Sequence, residues 1–330
     1  MFPFASLNRN PFRFLITPAS VNSDLYYDLA LAPAAFWGHV RSDGGDIRVV
    51  KQDGLTPVPR EVVGFDATAH TGSLFIGTSS GTAFYVAYGN RSWVEPAANA
   101  TYGKYNVWES AAKAVFHLHA DGADSTVGQH NDTSATPPAY GGAGKLGNCG
   151  DFGTGAIADD KHITTGVIAH GIGAGDFAMV AWVYPTAYYT ALLSHTNVCI
   201  MSNGTYAPCM FANGTSGTGH ALGMYADGFL DFGTDVALNA WSHIAVSRRT
   251  NVIYGYVNGA PAAVPVTNAV YLNDVALWLG RNVGDIDQFA GKIDEARLYS
   301  RGPLDAEIAT MYANQNAPGT FWTTGAEQQA

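Results

Sequence analysis

A few residues in this 330-residue chain have the type and spacing to do chemistry. Gly77-Thr78-Ser79-Ser80-Gly81 fits G-x-S-x-G. A nucleophile elbow needs a strand, a sharp turn and then a helix, whereas a second strand pattern, Thr82–Tyr88, follows here at once. A Ser/Gly hairpin loop is therefore the expectation. Gly144-Lys145-Leu146 echoes a phosphate loop, but Ala139 stands for the first Gly and Leu146 for the Ser/Thr that would touch magnesium. Gly171, Gly173 and Gly175 alternate, which is not dinucleotide-loop spacing. His117 and His119 are two apart on a strand pattern and share a face with Val115. Two such histidines can hold a transition metal, but no third ligand is evident, so a polar sandwich face is expected. Asp121, Asp124, Asn131 and Asp132 offer hard oxygens that calcium takes six to eight at a time. Their spacing matches no calcium loop. Solvated turn residues are the preferred reading, and Asp121 and Asp124 remain the calcium candidates.

Asp294-Glu295 suggests a glycosidase pair, whose two carboxyls must flank one bond. Neighbours on a strand point to opposite faces, so these two should not meet one substrate, and Asp294 and Arg297 read as structural. No residue is assigned a catalytic role. Exposed aromatics can stack on sugar faces. The candidates are Tyr184, Tyr188, Tyr189 and Tyr206, at or near strand ends or loops, with packing in the sandwich or a subunit interface as the open alternative.

The elements that must position these residues are mostly short strands. Phe12–Ile16, Asp46–Val50, Glu61–Phe65, Ser73–Ile76 and Thr82–Tyr88 are β-branched and aromatic runs between Gly, Pro, Asp and Ser clusters. The second half repeats the style from Ala114–His119 to Lys292–Tyr299, with Asn258-Gly259 a strong hairpin turn. Asp121–Asn148 is too long for a hairpin loop and implies a crossover between sheets. One helix is expected, 303–315, with Pro303 in its first turn and Leu304, Ile308, Met311 and Tyr312 on one face. The fold class expected is all-β, two β-sandwich or jelly-roll domains with one C-terminal helix. The expected division is an extended N-terminal arm at 1–11, a sandwich at 12–91, a linker at 92–106 and a jelly roll at 107–330. In the strand Trp241–Ser247, alternation sends Ile244 and Val246 to the core and Trp241, His243 and Ala245 to the other face. Cys199 and Cys209 flank a turn signal and should approach within disulfide distance, with no need to be bonded.

Composition excludes several classes. Lys plus Arg is 17 against 27 Asp plus Glu, a net charge of −10, which is wrong for wrapping nucleic acid. The longest apolar runs, Leu29–Trp37 and Phe177–Pro185, fall far short of the ~20 residues of a membrane helix. The opening MFPFASLNRNPFRF shows no basic segment before an apolar stretch, so the expectation is synthesis in a cytoplasm without export. Three cysteines make no disulfide framework.

FAMVAWVYPT at 177–186, WSHIAVSR at 241–248, YGYVNG at 254–259, LWLGRN at 277–282 and GKIDEARLYSRGPLDAEIATMY at 291–312 resemble the LamG-like, concanavalin-type jelly roll. AVFHLHADGADST at 114–126 resembles its first strand, and the resemblance covers 107–324. It implies a binding fold that often carries calcium near the sheet rim. The E-x-D-x-x-E strand of its laminarinase-type relatives is not found in this chain. GGDIRVVKQDG at 44–54, PREVVGFD at 59–66, SLFIGT at 73–78 and FYVAYGN at 84–90 resemble the domain of unknown function that precedes LamG-like modules in phage and bacterial surface proteins. Together the resemblances imply a non-enzymatic bacteriophage virion protein, capsid-decorating or tail-associated, made in the host cytoplasm. Its partners would be other virion proteins, reached through the arm, and a host-surface glycan, in a homo-oligomer or multi-copy assembly. No cofactor is expected beyond the calcium candidate. The alternatives are a carbohydrate-binding module of a bacterial envelope protein and, further off, a glycan hydrolase.

Overall fold

The structure, a computed structural model, describes residues 12–21, 24–77, 81–156, 159–187, 199–203, 209–212, 221–225, 229–267, 271–283 and 288–329. The expected arm at 1–11 lies outside the described residues. Strands dominate, every named pairing is antiparallel, and the fold is all-β with β-sandwich architecture. Two compact units divide the chain: one runs to Glu109 and resumes at Thr310, the other is Ser110–Ala309.

The first unit packs a larger sheet on a smaller one. In the larger, Phe12–Pro18 lies between Phe84–Tyr88 and the C-terminal Trp322–Thr324, and Arg48–Lys51 and Pro57–Val58 extend it. The smaller is Leu25–Asp28, Thr71–Ile76 and Arg60–Asp66. Strand alternation directs Phe14, Ile16, Val49 and Val86 from one sheet and Leu25, Tyr27, Leu74 and Ile76 from the other into one core. The expected hairpin at 77–81 is corrected. The strands on its two sides belong to different sheets, so this connection is a crossover, and no helix follows it; Thr78, Ser79 and Ser80 lie outside the described residues.

The expected domain limits are corrected at both ends. The segment 92–106 is fastened to the first unit: Arg48 donates to the Val94 carbonyl at 2.6 Å, and Arg60 pairs with Glu95 and donates its amide to the Tyr102 carbonyl. The C-terminal stretch also returns there. Thr324 pairs with Ile16, Gln329 with Phe12, and Phe321 and Trp322 enter the core. Without it the strand Phe12–Pro18 would keep an open edge and the core a gap. The expected helix is Asp305–Asn316. Glu307 accepts the Leu304 amide at 2.7 Å in the manner of a capping box. Leu304 is exposed rather than part of the apolar face, while Ile308 and Met311 are buried. Asn314 bonds both the amide and the carbonyl of Tyr26 at 2.7 Å.

The second unit is a two-sheet sandwich. The larger sheet runs Ala260–Pro261, Val252–Val257, Ser242–Arg249, Phe177–Pro185, Ala290–Tyr299, Asn148–Thr154 and Ala139–Ala143, with Ala112–Phe116 also on Ala290–Tyr299. The other runs Ile163–Val167, Ala276–Leu279, Cys199–Asn203, Cys209–Ala212, Ala221–Tyr225 and Phe229–Asp235. Met179, Ala181, Val183, Ile244, Val246, Ile293 and Leu298 meet Met201, Met210, Leu222, Leu277 and Leu279 in the core. Ile244 and Val246 are thus where alternation puts them. Asn258 and Gly259 turn the hairpin with both φ positive, 53° and 76°, which is why Gly sits there. Cys199 and Cys209 approach as expected, with Cα atoms 6.2 Å apart, and they are joined by a disulfide.

Candidate functional site

In the second unit, core residues fix which side chains face away. Because Met179, Ala181 and Val183 point inward, Val180, Trp182 and Tyr184 lie on the other face of the larger sheet. Trp182 pairs with His243 on one neighbour and Asp294 on the other, and Tyr184 pairs with Lys292. The result is two rows across three strands. Tyr184, Lys292 and the adjoining Trp241 form a half-buried row, in which the Tyr184 and Trp241 rings meet edge to face at 5.6 Å. Trp182, His243 and Asp294 form a buried one. Lys145, on the turn 143–147, stands over the Trp182 ring at 4.7 Å. Lys292 Nζ lies 3.5 Å from the Ala143 carbonyl, so the same turn borders the half-buried row. Gly291 is required here: with φ at +132°, a Cβ would run into the Tyr184 carbonyl.

The expectation that Asp294 and Glu295 point to opposite faces is corrected. Val180 pairs with Arg297 while Trp182 pairs with Asp294, so three residues span what two span on the partner strand. This is a β-bulge, and Glu295 takes a φ of 52° within it. The extra residue turns the Glu295 carboxylate to the side of Asp294 and Arg297. His117 Nδ1 lies 2.6 Å from Glu295 Oε1, and Arg297 donates to Oε2 at 2.7 Å. Burial works to raise the Glu295 pKa, but His117 and Arg297 outweigh it and hold the carboxyl below its ordinary value. Asp294 goes the other way, pushed up by burial and by the charge of Glu295. Its Oδ2 accepts the Lys145 and Leu146 amides at 2.8 and 2.9 Å. The turn that echoes a phosphate loop therefore does hold an acidic group, one belonging to the chain itself. Both carboxyls are buried, so the pair does not present an acid and a base to solvent.

The remaining candidates disperse. Leu118 has a φ of +57°, which ends the strand before His119. His117 goes to Glu295, whereas His119 Nδ1 accepts the Asn148 amide at 3.2 Å and has its pKa lowered by burial and by His117. Asp124 is a buried loop anchor rather than a solvated turn residue. Its two oxygens accept the amides of Val115, Thr126 and His130 and the Thr126 hydroxyl. Asp121 accepts the Ala123 amide, and Asn131 accepts that of Asp124. Asp132 accepts from Ser134 and Thr164. Among the described residues no group of three or more His, Cys, Asp or Glu side chains could hold a metal ion. Of the aromatic candidates, Tyr184 is placed as above; Tyr188, Tyr189 and Tyr206 lie outside the described residues. Trp241 is a residue of the row that the sugar candidates omit. Its one signal in the sequence is the alternation that puts it opposite Ile244.

Residues 158–309 match the family model Laminin_G_3, described as the concanavalin A-like lectin/glucanases superfamily, and this region is a LamG-like jelly roll. No curated protein matches the chain. Among solved structures it is similar to domain 4 of AbnA, a GH43 extracellular arabinanase from Geobacillus stearothermophilus, in complex with arabinotriose: 18% identity, 62% of this chain, 100% of that chain, TM-score 0.45. It is also similar to the binding domain of Paraclostridial Mosquitocidal Protein 1, at 13% identity, 62% of this chain, 52% of that one and TM-score 0.48. Trypanosoma rangeli sialidase gives 14% identity, 74% of this chain, 42% of that one and TM-score 0.45. The chain thus spans about half or less of the latter two. At these values the likeness is one of fold alone.

Proposed function

We propose that the protein attaches to surfaces without catalysis, its LamG-like domain binding a glycan on the row formed by Tyr184, Trp241 and Lys292. The observation that carries this is the half-buried Tyr184–Trp241 pair, set on the sheet face turned away from the core. Two rings at 61° offer an apolar step on which a sugar ring can rest, and Lys292 beside Tyr184 offers a hydrogen-bond donor. The burial of Asp294 and Glu295, and the commitment of Glu295 to His117 and Arg297, support a binding rather than a hydrolytic role. The finer reading is a bacteriophage virion component, made in the host cytoplasm and carried in many copies, with residues 1–11 joining it to other virion proteins. Avidity then multiplies weak single-site binding by about 10² to 10⁴.

The Cys199–Cys209 disulfide favours a second reading, a carbohydrate-binding module of a bacterial envelope protein, because such bonds persist in oxidising compartments. Polysaccharide binding by the full chain tests the shared part. Tyr184→Ala and Trp241→Ala should each weaken it about tenfold, or about 1.4 kcal/mol, with folding intact. Undiminished binding in both variants sinks the site, and release of reducing ends sinks the non-catalytic reading. Mass spectrometry of purified particles against envelope fractions separates the two placements.

A further inference from the structure

The turn at 143–147 is closed by the Gly144 amide on the Gly147 carbonyl at 2.8 Å. It lies directly on Asp294. A Cβ at Gly144 would come within 2.7 Å of Asp294 Oδ2, and Gly147 has a φ of +95°. One carboxyl oxygen, Oδ2, therefore fastens the turn through two amides. The other, Oδ1, is buried and accepts no hydrogen bond among the described residues.

The charged and titratable groups around this carboxyl come from each element packed on it. Glu295 adjoins it on its own strand, with Lys292 two residues before and Arg297 three after. His117 follows the strand Ala112–Phe116, Lys145 is on the turn, Cys149 is on Asn148–Thr154, and His243 is across Trp182. Of the cations, His117 and Arg297 are engaged by Glu295, and Lys145 stands on Trp182.

A carboxyl that carries its proton on Oδ1 leaves Oδ2 to both amides and adds no charge beside Glu295. Loss of that proton places a second negative charge next to the first, on an oxygen with no donor. Such an oxygen must be hydrated. The strand Ala290–Tyr299 is held by hydrogen-bonded neighbours on both sides and cannot yield. The turn can.

We propose that Asp294 is an acid-form latch: the turn 143–147 lies on the sheet while Asp294 is protonated, and lifts, taking Lys145 off Trp182, when Asp294 ionises. The raised pKa of this carboxyl places the change above the ordinary carboxylate range. The latch holds whether or not a glycan is the ligand.

Amide hydrogen exchange on the full chain tests it, read as protection of Lys145 and Leu146 relative to their intrinsic rates from about pH 6 to about pH 10. Protection should fall about tenfold or more with rising pH while amides of residues 177–184 keep theirs. In Asp294→Asn it should stay flat, because the carboxamide oxygen accepts both amides and cannot ionise. Constant protection in the natural protein, or an equal fall in the variant, overturns the proposal. Should the variant fail to fold, the ¹³C titration of the Asp294 carboxyl in the natural protein decides: a midpoint coinciding with the loss of protection supports the latch, and a midpoint in the ordinary carboxylate range, or one apart from it, overturns it.

Discussion

Both units bury charges of both signs, but the clusters at their centres differ. In the first, Arg48 and Arg60 are buried among carbonyls. Arg48 donates to the carbonyls of Gly45, Ile47 and Val94, and Arg60 donates to the Ile47 carbonyl and to Glu95. In the second, two carboxyls, Asp294 and Glu295, are buried side by side at a bulge. A guanidinium has five donors in a fixed fork and stays charged when carbonyls surround it. Even with burial and Arg60 pulling it down, Arg48 stays near 10. Two adjoining carboxyls cannot both keep their charge so cheaply, and they split: Glu295 below its ordinary value, Asp294 above. The first unit's buried guanidiniums are thus indifferent to neutral pH, while the second unit's carboxyl pair responds to it.

The largest test of this division removes the C-terminal return. Deleting residues 318–330 takes away Phe321 and Trp322 from the first core and the strand paired with Phe12–Pro18. Each large aromatic removed from a core costs about 3 to 5 kcal/mol, so two remove about 6 to 10 kcal/mol from a typical total of about 5 to 15 kcal/mol. Proteolysis should then degrade the first unit and leave 110–309 as a resistant fragment. A first unit that survives intact would show that the return is ornamental.

Single charges give the next largest effect. Arg297→Ala leaves Glu295 buried with His117 alone, and breaking such a pair costs about 3 to 5 kcal/mol. Arg60→Ala releases a Glu95 that is 57% exposed and can turn to water, so about 1 to 3 kcal/mol is expected. Denaturant melts of the two variants compare them directly. Equal losses would mean that exposure of the partner does not govern the cost.

Much of the sandwich was legible because alternation is local. Ile244 and Val246 declare their face within one strand. The strands Ala139–Ala143 and Asn148–Thr154 were not legible, because AYGGA and NCGDFGT carry Gly where β-branched residues would signal a strand. Trp322–Thr324 has a partner some 300 residues away, and no local pattern reports such a contact. At the candidate site the same rule that located Ile244 misled at Glu295. A single inserted residue reverses the facing of every later residue in its strand, and nothing in GKIDEARLY marks where the insertion falls. Trp241 was placed on its face but not paired with Tyr184, because that pairing needs the register between strands far apart in the chain.

The smallest effect expected is in the pH profile, and its sign distinguishes the two carboxyls. Glu295 is held below its ordinary value, so its contribution is present at neutral pH and is lost as pH falls through the folded value. Asp294 is raised by burial and by the charge of Glu295. The unfolded chain releases that proton in the ordinary carboxylate range while the folded unit keeps it, so stability from this group declines as pH rises between the two values and is fully lost above the upper one. The second unit should therefore melt highest in mildly acid solution and at a lower temperature by about pH 9. Asp294→Asn should flatten the alkaline fall and leave the acid limb, while Glu295→Gln should lower the whole curve and flatten the acid limb. In the first unit the buried guanidiniums do not titrate there, while burial raises Asp46, so any fall in its profile should be untouched by Asp294→Asn. An alkaline fall in the second unit that persists in Asp294→Asn would place the titrating group elsewhere and remove the contrast between the buried guanidiniums and the carboxyl pair.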